Sequence, residues 1–136
     1  VANGRAALAY LKALPDSNGK VGAVGFCWGG AMANQLAVHA PDLNAAVSFY
    51  GMAPDTALVP EIKAHVQLHY AGLDERINAS REAYLAALKA AGVDFESYLY
   101  EGKQHAFHND TNVARYDQAS AELAWKRTLD LFQRTL

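Results

Sequence analysis

Apolar residues follow two patterns along this chain: short segments rich in apolar residues, and longer stretches in which they recur every three or four positions. The short segments predict four strands, at Val21–Phe26, Ala45–Gly51, His65–Gly72 and Phe95–Tyr100. The longer stretches predict helices up to about Leu14, at Ala31–Ala40, at Ala79–Ala91 and at the C terminus. Strands that alternate with helices are typical of a parallel α/β sheet with right-handed crossovers.

Residues that favour caps and turns predict where several helices end. Pro15 and the turn that follows it end the first helix. Asn78 is a good cap for the helix at Ala79–Ala91, and Gly92 ends that helix. The C-terminal helix is indicated by apolar residues at spacings of four, three and four, which are Trp125, Leu129, Phe132 and Leu136.

Composition limits the class of protein. The 136 residues are 51% hydrophobic and 19% charged, as in ordinary globular domains. The net charge is −2 and there is no basic block, which argues against nucleic acid or an anionic membrane as a partner. No apolar run reaches the roughly eighteen residues of a membrane span, and a single cysteine cannot form an internal disulfide. We therefore expect residues 1–136 to form one domain, or part of one.

The segment Gly25-Phe26-Cys27-Trp28-Gly29-Gly30 lies between a predicted strand and a predicted helix. A strand, a sharp glycine-flanked turn with one nucleophile, and a helix form the arrangement called a nucleophile elbow. We expect Gly25 and Gly29, two residues before and after Cys27, to lack side chains so that strand and helix can approach. The alternative is a buried structural cysteine in an ordinary turn.

An acid and a histidine follow later strands, where an active site would need them. The carboxyl ends of parallel strands meet at one edge of a sheet, and there the sequence has Cys27, Asp74 and His105. This order, nucleophile then acid then histidine, is that of α/β hydrolases. Cys27 would attack a carbonyl as thiolate, His105 would carry its proton, and Asp74 would orient the imidazole. The backbone N–H of Trp28 would supply part of an oxyanion hole.

Other polar residues near these positions leave alternatives open. Glu75 could replace Asp74 as the orienting acid, and His108 could compete with His105 as the base. His65 and His69 share one face of a strand, but no third ligand lies nearby in the sequence. For these two histidines we therefore expect packing or hydrogen-bonding roles rather than a metal site.

Three separate motifs resemble those of the dienelactone hydrolase (carboxymethylenebutenolidase) family of α/β hydrolases. They are the elbow around Cys27, the acid loop Ala71–Ile77 and the histidine loop Tyr100–Phe107. The stretch Asp117–Phe132 also resembles the closing helix of that family. The resemblance implies the C-terminal portion of an α/β-hydrolase fold, with about four mostly parallel strands and flanking helices.

The resemblance also implies a function. It suggests hydrolysis of a small ester or lactone through a triad of Cys27, Asp74 and His105 and an acyl-cysteine intermediate. It implies no metal or organic cofactor and a cytoplasmic location. The family fold has several further strands before the first helix of this chain. We therefore expect either a missing N-terminal part or another copy of the chain to complete the fold.

One departure from the family pattern leaves the substrate open. Dienelactone-specific members carry an arginine four residues after the histidine, where this chain has Asn109. Arg76 or Arg115 could bind a substrate carboxylate instead, and Trp28 and Phe107 are candidate pocket residues. The alternative functions are a general carboxylesterase on the same scaffold and a non-catalytic α/β fragment that needs a partner chain.

Overall fold

The computed structural model of the chain describes residues 1–136 as a four-stranded parallel sheet with helices on both faces. The strands lie side by side in chain order: β1 (Gly22–Phe26), β2 (Ala45–Phe49), β3 (His65–Ala71) and β4 (Phe95–Tyr100). The helices are α1 (Ala2–Ala13), α2 (Trp28–His39), α3 (Glu75–Asn78), α4 (Arg81–Ala90) and α5 (Gln118–Thr135), with a 3₁₀ helix at Thr56–Glu61. The prediction of a parallel α/β fold with four strands is confirmed.

Two apolar layers hold the sheet, one on each face, because successive residues of a strand point to opposite sides. Ala46 of β2 and Val66 of β3 pack with buried residues of α1, α2 and α4. On the other face, Val47 and Phe49 of β2 belong to a cluster with Leu131 of α5. Because β2 is covered on both faces, it appears in the sequence as a nearly continuous apolar run, whereas in β3 apolar residues alternate with the buried polar residues Gln67 and His69.

The two edges of the sheet are β1 and β4. On β1, the Phe26 ring packs against that of Phe49, with ring centroids 4.6 Å apart, so it points to the face that α5 covers. Val24, two residues earlier, points the same way, and both side chains are more than one third exposed. On α5, which covers the same face, Trp125 and Leu129 are 38% and 46% exposed.

The segment after β3 differs from the sequence prediction of one helix at Ala79–Ala91. The chain forms a single turn, α3, and then α4, whose N-cap position is Ser80. Asn78 is not the cap, because its amide nitrogen donates to the carbonyl oxygen of Ala71 at 2.8 Å. The cap prediction is therefore wrong: a tertiary hydrogen bond to the end of β3 takes the side chain that the local sequence assigns to a helix end.

The C-terminal helix is present, but its buried face differs from the one that the apolar spacing indicates. The buried residues of α5 are Ala121, Ala124, Thr128 and Leu131, three of which are small. Trp125 and Leu129 lie beside this face and stay partly exposed. None of the helices combines the length and the apolar character that a membrane span requires.

Glycines allow the backbones of β1, α2 and the end of β2 to touch. A Cβ at Gly25 would lie 1.9 Å from the carbonyl oxygen of Gly29, and one at Gly30 would lie 2.6 Å from that of Phe49. A Cβ at Gly51 would lie 2.3 Å from the carbonyl carbon of Gly30. Gly29 itself has open space where a side chain would be, so the expectation that it must lack one is wrong. What Gly29 contributes is its carbonyl group, which faces Gly25.

We predict that Gly25→Ala lowers the free energy of unfolding by at least about 3 kcal/mol, because the new methyl group meets backbone that cannot move aside. The matched substitution Gly29→Ala changes it by no more than about 1 kcal/mol, since its methyl group points into open space within a helix. Urea denaturation followed by circular dichroism measures both values. Equal losses in the two variants would contradict this account of the close contact.

Candidate active site

Cys27 lies in a strained turn between β1 and α2. Its φ is 56° and its ψ is −120°, and its N–H donates to the carbonyl oxygen of Phe49 at 3.0 Å. Only two other non-glycine residues have a positive φ, Tyr50 at 39° and Ala106 at 70°. All three line one cavity of about 390 Å³. Such strain is tolerated where the surroundings enforce it, and it clusters at functional sites, so the backbone alone points to this cavity.

Three side chains meet beside this cavity, each from the carboxyl end of a different strand. Cys27 follows β1, Asp74 lies in the turn after β3, and His105 lies in the loop after β4. His105 Nε2 is 3.2 Å from Cys27 Sγ, and His105 Nδ1 is hydrogen-bonded to Asp74 Oδ2. The structure thus brings together the three residues that the sequence singled out.

The carboxylate determines which ring nitrogen of the histidine carries the proton. An ionised Asp74 has only acceptors, so His105 Nδ1 carries the hydrogen and Nε2 keeps a lone pair directed at Cys27. Asp74 is 8% exposed, and its other oxygen accepts from the N–H of Ile77 at 3.3 Å. Glu75, the alternative acid, is exposed. The arrangement can therefore take the thiol proton onto Nε2.

Backbone hydrogen bonds join the turn that carries the acid to the loop that carries the histidine. The N–H of Gly72 donates to the carbonyl oxygen of Tyr100, and the N–H of Leu73 to that of Lys103, both at 2.9 Å. The Lys103 side chain forms an ion pair, also at 2.9 Å, with Asp117 at the N-cap of α5. The carboxylate and the imidazole are therefore carried by one connected unit.

Burial raises the pKa of the Cys27 thiol above its ordinary value, and the Asp74 carboxylate raises it further. The guanidinium groups of Arg115 and Arg76 act in the opposite direction but do not compensate. The thiol is therefore mostly protonated at neutral pH, and its proton has to be removed when it reacts. His105 Nε2 is the group positioned to accept that proton.

Trp28, the first residue of α2, presents its backbone and its side chain to different surfaces. The first N–H groups of a helix have no acceptor within the helix, so the Trp28 N–H can serve an oxyanion that develops beside Cys27. The indole is 76% exposed. It lines a separate depression with the start of α1, Met32 and Leu36, and it is not part of the cavity that Cys27 lines.

Phe107 is fully buried and offers no surface to a ligand in this arrangement. Its ring packs against those of Tyr50 and Tyr100, with ring centroids 5.4 and 4.7 Å apart. His108 stacks on Phe26 at 5.1 Å, and burial lowers its pKa. Phe107 therefore supports the histidine loop from inside, whereas His108 forms a wall of the cavity.

Arginine side chains lie on one side of the site only. Arg76 and Arg115 are exposed and line a second cavity, of about 360 Å³, together with residues of the histidine loop and the two carboxylates of the acid turn. The first cavity has Asn109 and Asp110 in its lining and no arginine or lysine. The two sides of the site therefore offer different surroundings to the two halves of a ligand.

His65 and His69, the two histidines weighed above as metal ligands, face other groups. His65 faces Glu96, with Nε2 3.3 Å from the carboxylate. His69 is hydrogen-bonded to Tyr100 and Gln67. No group of three or more His, Cys, Asp or Glu side chains in residues 1–136 is arranged to hold a metal ion.

Tyr50 is the cavity residue that sequence reasoning missed. It directly follows β2, is 1% exposed, and packs its ring against that of His105 with ring centroids 4.9 Å apart. Burial raises its pKa, so the phenol stays neutral. The sequence offers one signal for it, which is its position before Gly51 at the carboxyl end of a predicted strand.

The family model that matches the chain is that of the dienelactone hydrolase family, over residues 1–136. The chain belongs to the dienelactone hydrolase family. The carboxymethylenebutenolidase of Pseudomonas putida is 35% identical over 127 residues, which cover 92% of the chain and 53% of that enzyme. The enzyme of Pseudomonas knackmussii gives the same values. The chain spans about half the length of the curated relatives it matches.

Solved structures share the fold. A dienelactone hydrolase-like promiscuous phosphotriesterase from metagenomic libraries superposes with a TM-score of 0.86 at 26% identity, covering 96% of this chain and 59% of that one. An α/β hydrolase from a Medee basin deep-sea metagenome library gives a TM-score of 0.77 at 18% identity, covering 97% and 63%. The second likeness concerns the fold alone. The parallel sheet is therefore that of an α/β hydrolase.

We predict that Arg76→Gln and Arg115→Gln each raise the pKa of Cys27 further, because each removes a positive charge that favours the thiolate. When the rate of Cys27 alkylation by iodoacetamide is measured against pH, the midpoint of the curve should move about 0.3 to 0.5 pH unit upward. Arg5→Gln, an exposed site on α1, is the control and should leave the midpoint in place. A midpoint that falls or stays in both variants would show that these arginines do not act on the thiol.

Proposed function

We propose that this chain carries the catalytic residues of a thiol-dependent hydrolase that cleaves a small ester or lactone through an acyl-cysteine intermediate. The observation that carries the proposal is the chain of contacts from Cys27 through His105 to Asp74, with 3.2 Å between His105 Nε2 and Cys27 Sγ. Membership of the dienelactone hydrolase family supports the same reaction class.

In the first half of the proposed reaction, Cys27 Sγ attacks the substrate carbonyl carbon while His105 Nε2 takes the thiol proton. The hydrogen bond from His105 Nδ1–H to Asp74 stabilises the imidazolium that forms. Negative charge on the carbonyl oxygen is stabilised by the N–H of Trp28. The C–O bond then breaks, the leaving oxygen takes the proton from Nε2, and a thioester on Cys27 remains.

In the second half, water replaces the leaving alcohol. His105 Nε2 accepts a proton from the water as its oxygen attacks the thioester carbonyl carbon. The C–S bond breaks, the proton passes to the sulfur, and the carboxylic acid product leaves. A lactone follows the same steps, except that its leaving oxygen stays attached to the acyl chain. No step needs a metal ion or an organic cofactor.

The charge distribution supports a substrate with one polar and one apolar end. A carboxylate would lie on the side of Arg76 and Arg115, whose guanidinium groups can pair with it. An apolar group would lie in the cavity beside Cys27, against Phe26 and the ring of His108. Dienelactones fit this description because they carry a carboxylate, whereas a general carboxylesterase would not require one.

The alternative from another class is a non-catalytic α/β fragment that needs a partner chain, in which the elbow persists for packing alone. The exposed apolar edge at β1 favours it. Whether a further part of the fold or a second copy covers that edge is separate from the chemistry proposed for Cys27, since the three reacting side chains all come from residues 1–136.

We predict that Cys27→Ala abolishes hydrolysis of p-nitrophenyl acetate under reducing conditions and that His105→Ala lowers kcat/KM by at least about a hundredfold. Each substitution removes a group that takes part in bond making or proton transfer. His39→Ala, an exposed site at the end of α2, is the matched control and should keep the wild-type rate. Full turnover by Cys27→Ala would contradict the proposal, and no turnover by the wild type would favour the non-catalytic alternative.

The same assay separates the two substrate classes. For the double variant Arg76→Gln, Arg115→Gln, we predict that kcat/KM for an ester bearing a carboxylate falls about tenfold more than kcat/KM for a neutral ester of equal size. The reason is that only the anionic ester loses an ion pair. An equal fall for both esters would instead favour a general carboxylesterase.

A further inference from the structure

A line of hydrogen bonds runs through the apolar layer on the α5 face of the sheet, directly beneath the site. His69 of β3 is fully buried, and its ring stacks on that of Phe49 with centroids 4.4 Å apart. Its Nδ1 lies 2.9 Å from Tyr100 Oη, and its Nε2 lies 2.8 Å from Gln67 Oε1. Arg127 Nη1 of α5 donates to the same Tyr100 oxygen at 3.2 Å. The proposed reaction uses none of these groups directly.

The direction of each hydrogen bond follows from its partners. Gln67 Nε2 faces two groups that can only accept, the Glu96 carboxylate at 3.1 Å and the carbonyl oxygen of Arg127 at 3.0 Å. Gln67 Oε1 therefore faces His69, so His69 Nε2 carries the hydrogen and Nδ1 accepts. The Tyr100 hydroxyl must then donate to Nδ1. The hydrogen bonds therefore all point one way, from the Arg127 cation to the Glu96 anion.

The buried ring stays neutral, as this pattern requires. Burial lowers the pKa of His69 to about 3, and the charge of Arg127 acts in the same direction. Because the imidazole is neutral at neutral pH, it can accept one hydrogen bond and donate another without burying an unpaired charge. The Tyr100 hydroxyl is therefore held between two fixed partners, His69 and Arg127.

Tyr100 links this line to the reacting groups. Its ring packs against that of Phe107 at 4.7 Å, and the ring of Phe107 packs against Tyr50, which contacts His105. Its carbonyl oxygen accepts from the N–H of Gly72, in the turn that carries the acid. The Tyr100 ring therefore reaches the base through Phe107 and Tyr50, so a ring free to tilt would displace the packing beneath the histidine loop.

We propose that Tyr100 and His69 are positioning residues that keep His105 Nε2 within hydrogen-bonding distance of Cys27. The hydroxyl of Tyr100, fixed by His69 and Arg127, holds the ring on which Phe107 rests. This inference rests on the proposed function, in which His105 is the base. Its test uses the reactivity of the thiol and therefore needs no substrate.

The test is the rate of Cys27 alkylation by iodoacetamide, measured from pH 5 to pH 11 on the folded protein. Base assistance by His105 raises the rate near neutral pH, whereas at high pH the thiol ionises unaided. We expect Tyr100→Phe to lower the rate at pH 7 about tenfold, in the direction of His105→Ala, because a displaced base assists less. The plateau at high pH should stay at its wild-type value.

The matched control is Tyr98→Phe. Tyr98 lies on the same strand and also stacks near His69, but its hydroxyl donates to Glu96 at 2.8 Å. Its profile should follow the wild type.

If Tyr100→Phe does not give a native circular dichroism spectrum, Arg127→Gln decides the same question. That variant removes the other partner of the Tyr100 hydroxyl from a half-buried site and should lower the rate at pH 7 in the same way.

The outcomes separate this inference from the proposed function. If His105→Ala lowers the rate at pH 7 and the folded Tyr100→Phe or Arg127→Gln does not, the positioning role is wrong, and the assignment of His105 as the base is retained. If His105→Ala leaves the profile unchanged, the assignment of His105 as the base is wrong. The positioning role, which depends on that assignment, is then wrong too. A uniform fall at every pH in Tyr100→Phe would indicate altered access to the thiol and would also overturn the inference.

Discussion

The close contact of backbones at the elbow is the constraint on which the rest of the structure depends. Gly25 of β1 lies against the carbonyl group of Gly29, and Gly30 lies against the end of β2. Because no side chain separates these segments, α2 begins directly at the carboxyl end of β1. Cys27 is thereby held at a φ of 56°, with its sulfur directed to the edge of the sheet where the acid and the histidine also lie.

Because the strands are parallel, the segments that follow β3 and β4 lie at the same edge of the sheet as Cys27 and carry its partners. The turn after β3 and the loop after β4 are joined by backbone hydrogen bonds, so the carboxylate and the imidazole keep their relative position. The surroundings raise the pKa of Cys27 rather than lower it. The site is therefore suited to a thiol that is deprotonated during attack, by the adjacent imidazole, rather than to a thiolate that exists beforehand.

Much of this could be predicted from the sequence, because it depends on local patterns. The four strands appear as short segments rich in apolar residues, and Cys27, Asp74 and His105 each follow one of them. The sequence was misleading where tertiary contacts override local preference: Asn78 bonds to Ala71 instead of capping a helix, and α5 buries small residues beside its aromatic ones. The network around His69 could not be predicted, since it joins two strands and a helix that only the fold brings together.

The central claim is that Cys27 forms a covalent bond with the acyl group of an ester. It is tested most directly by stopping the reaction with p-nitrophenyl acetate in acid and locating the label by peptide mass spectrometry. The account predicts one acetyl group on the peptide that contains Cys27, formed in the wild type and released on further incubation at neutral pH. Ester cleavage with no adduct on Cys27, or with the acetyl group on another residue, would contradict it.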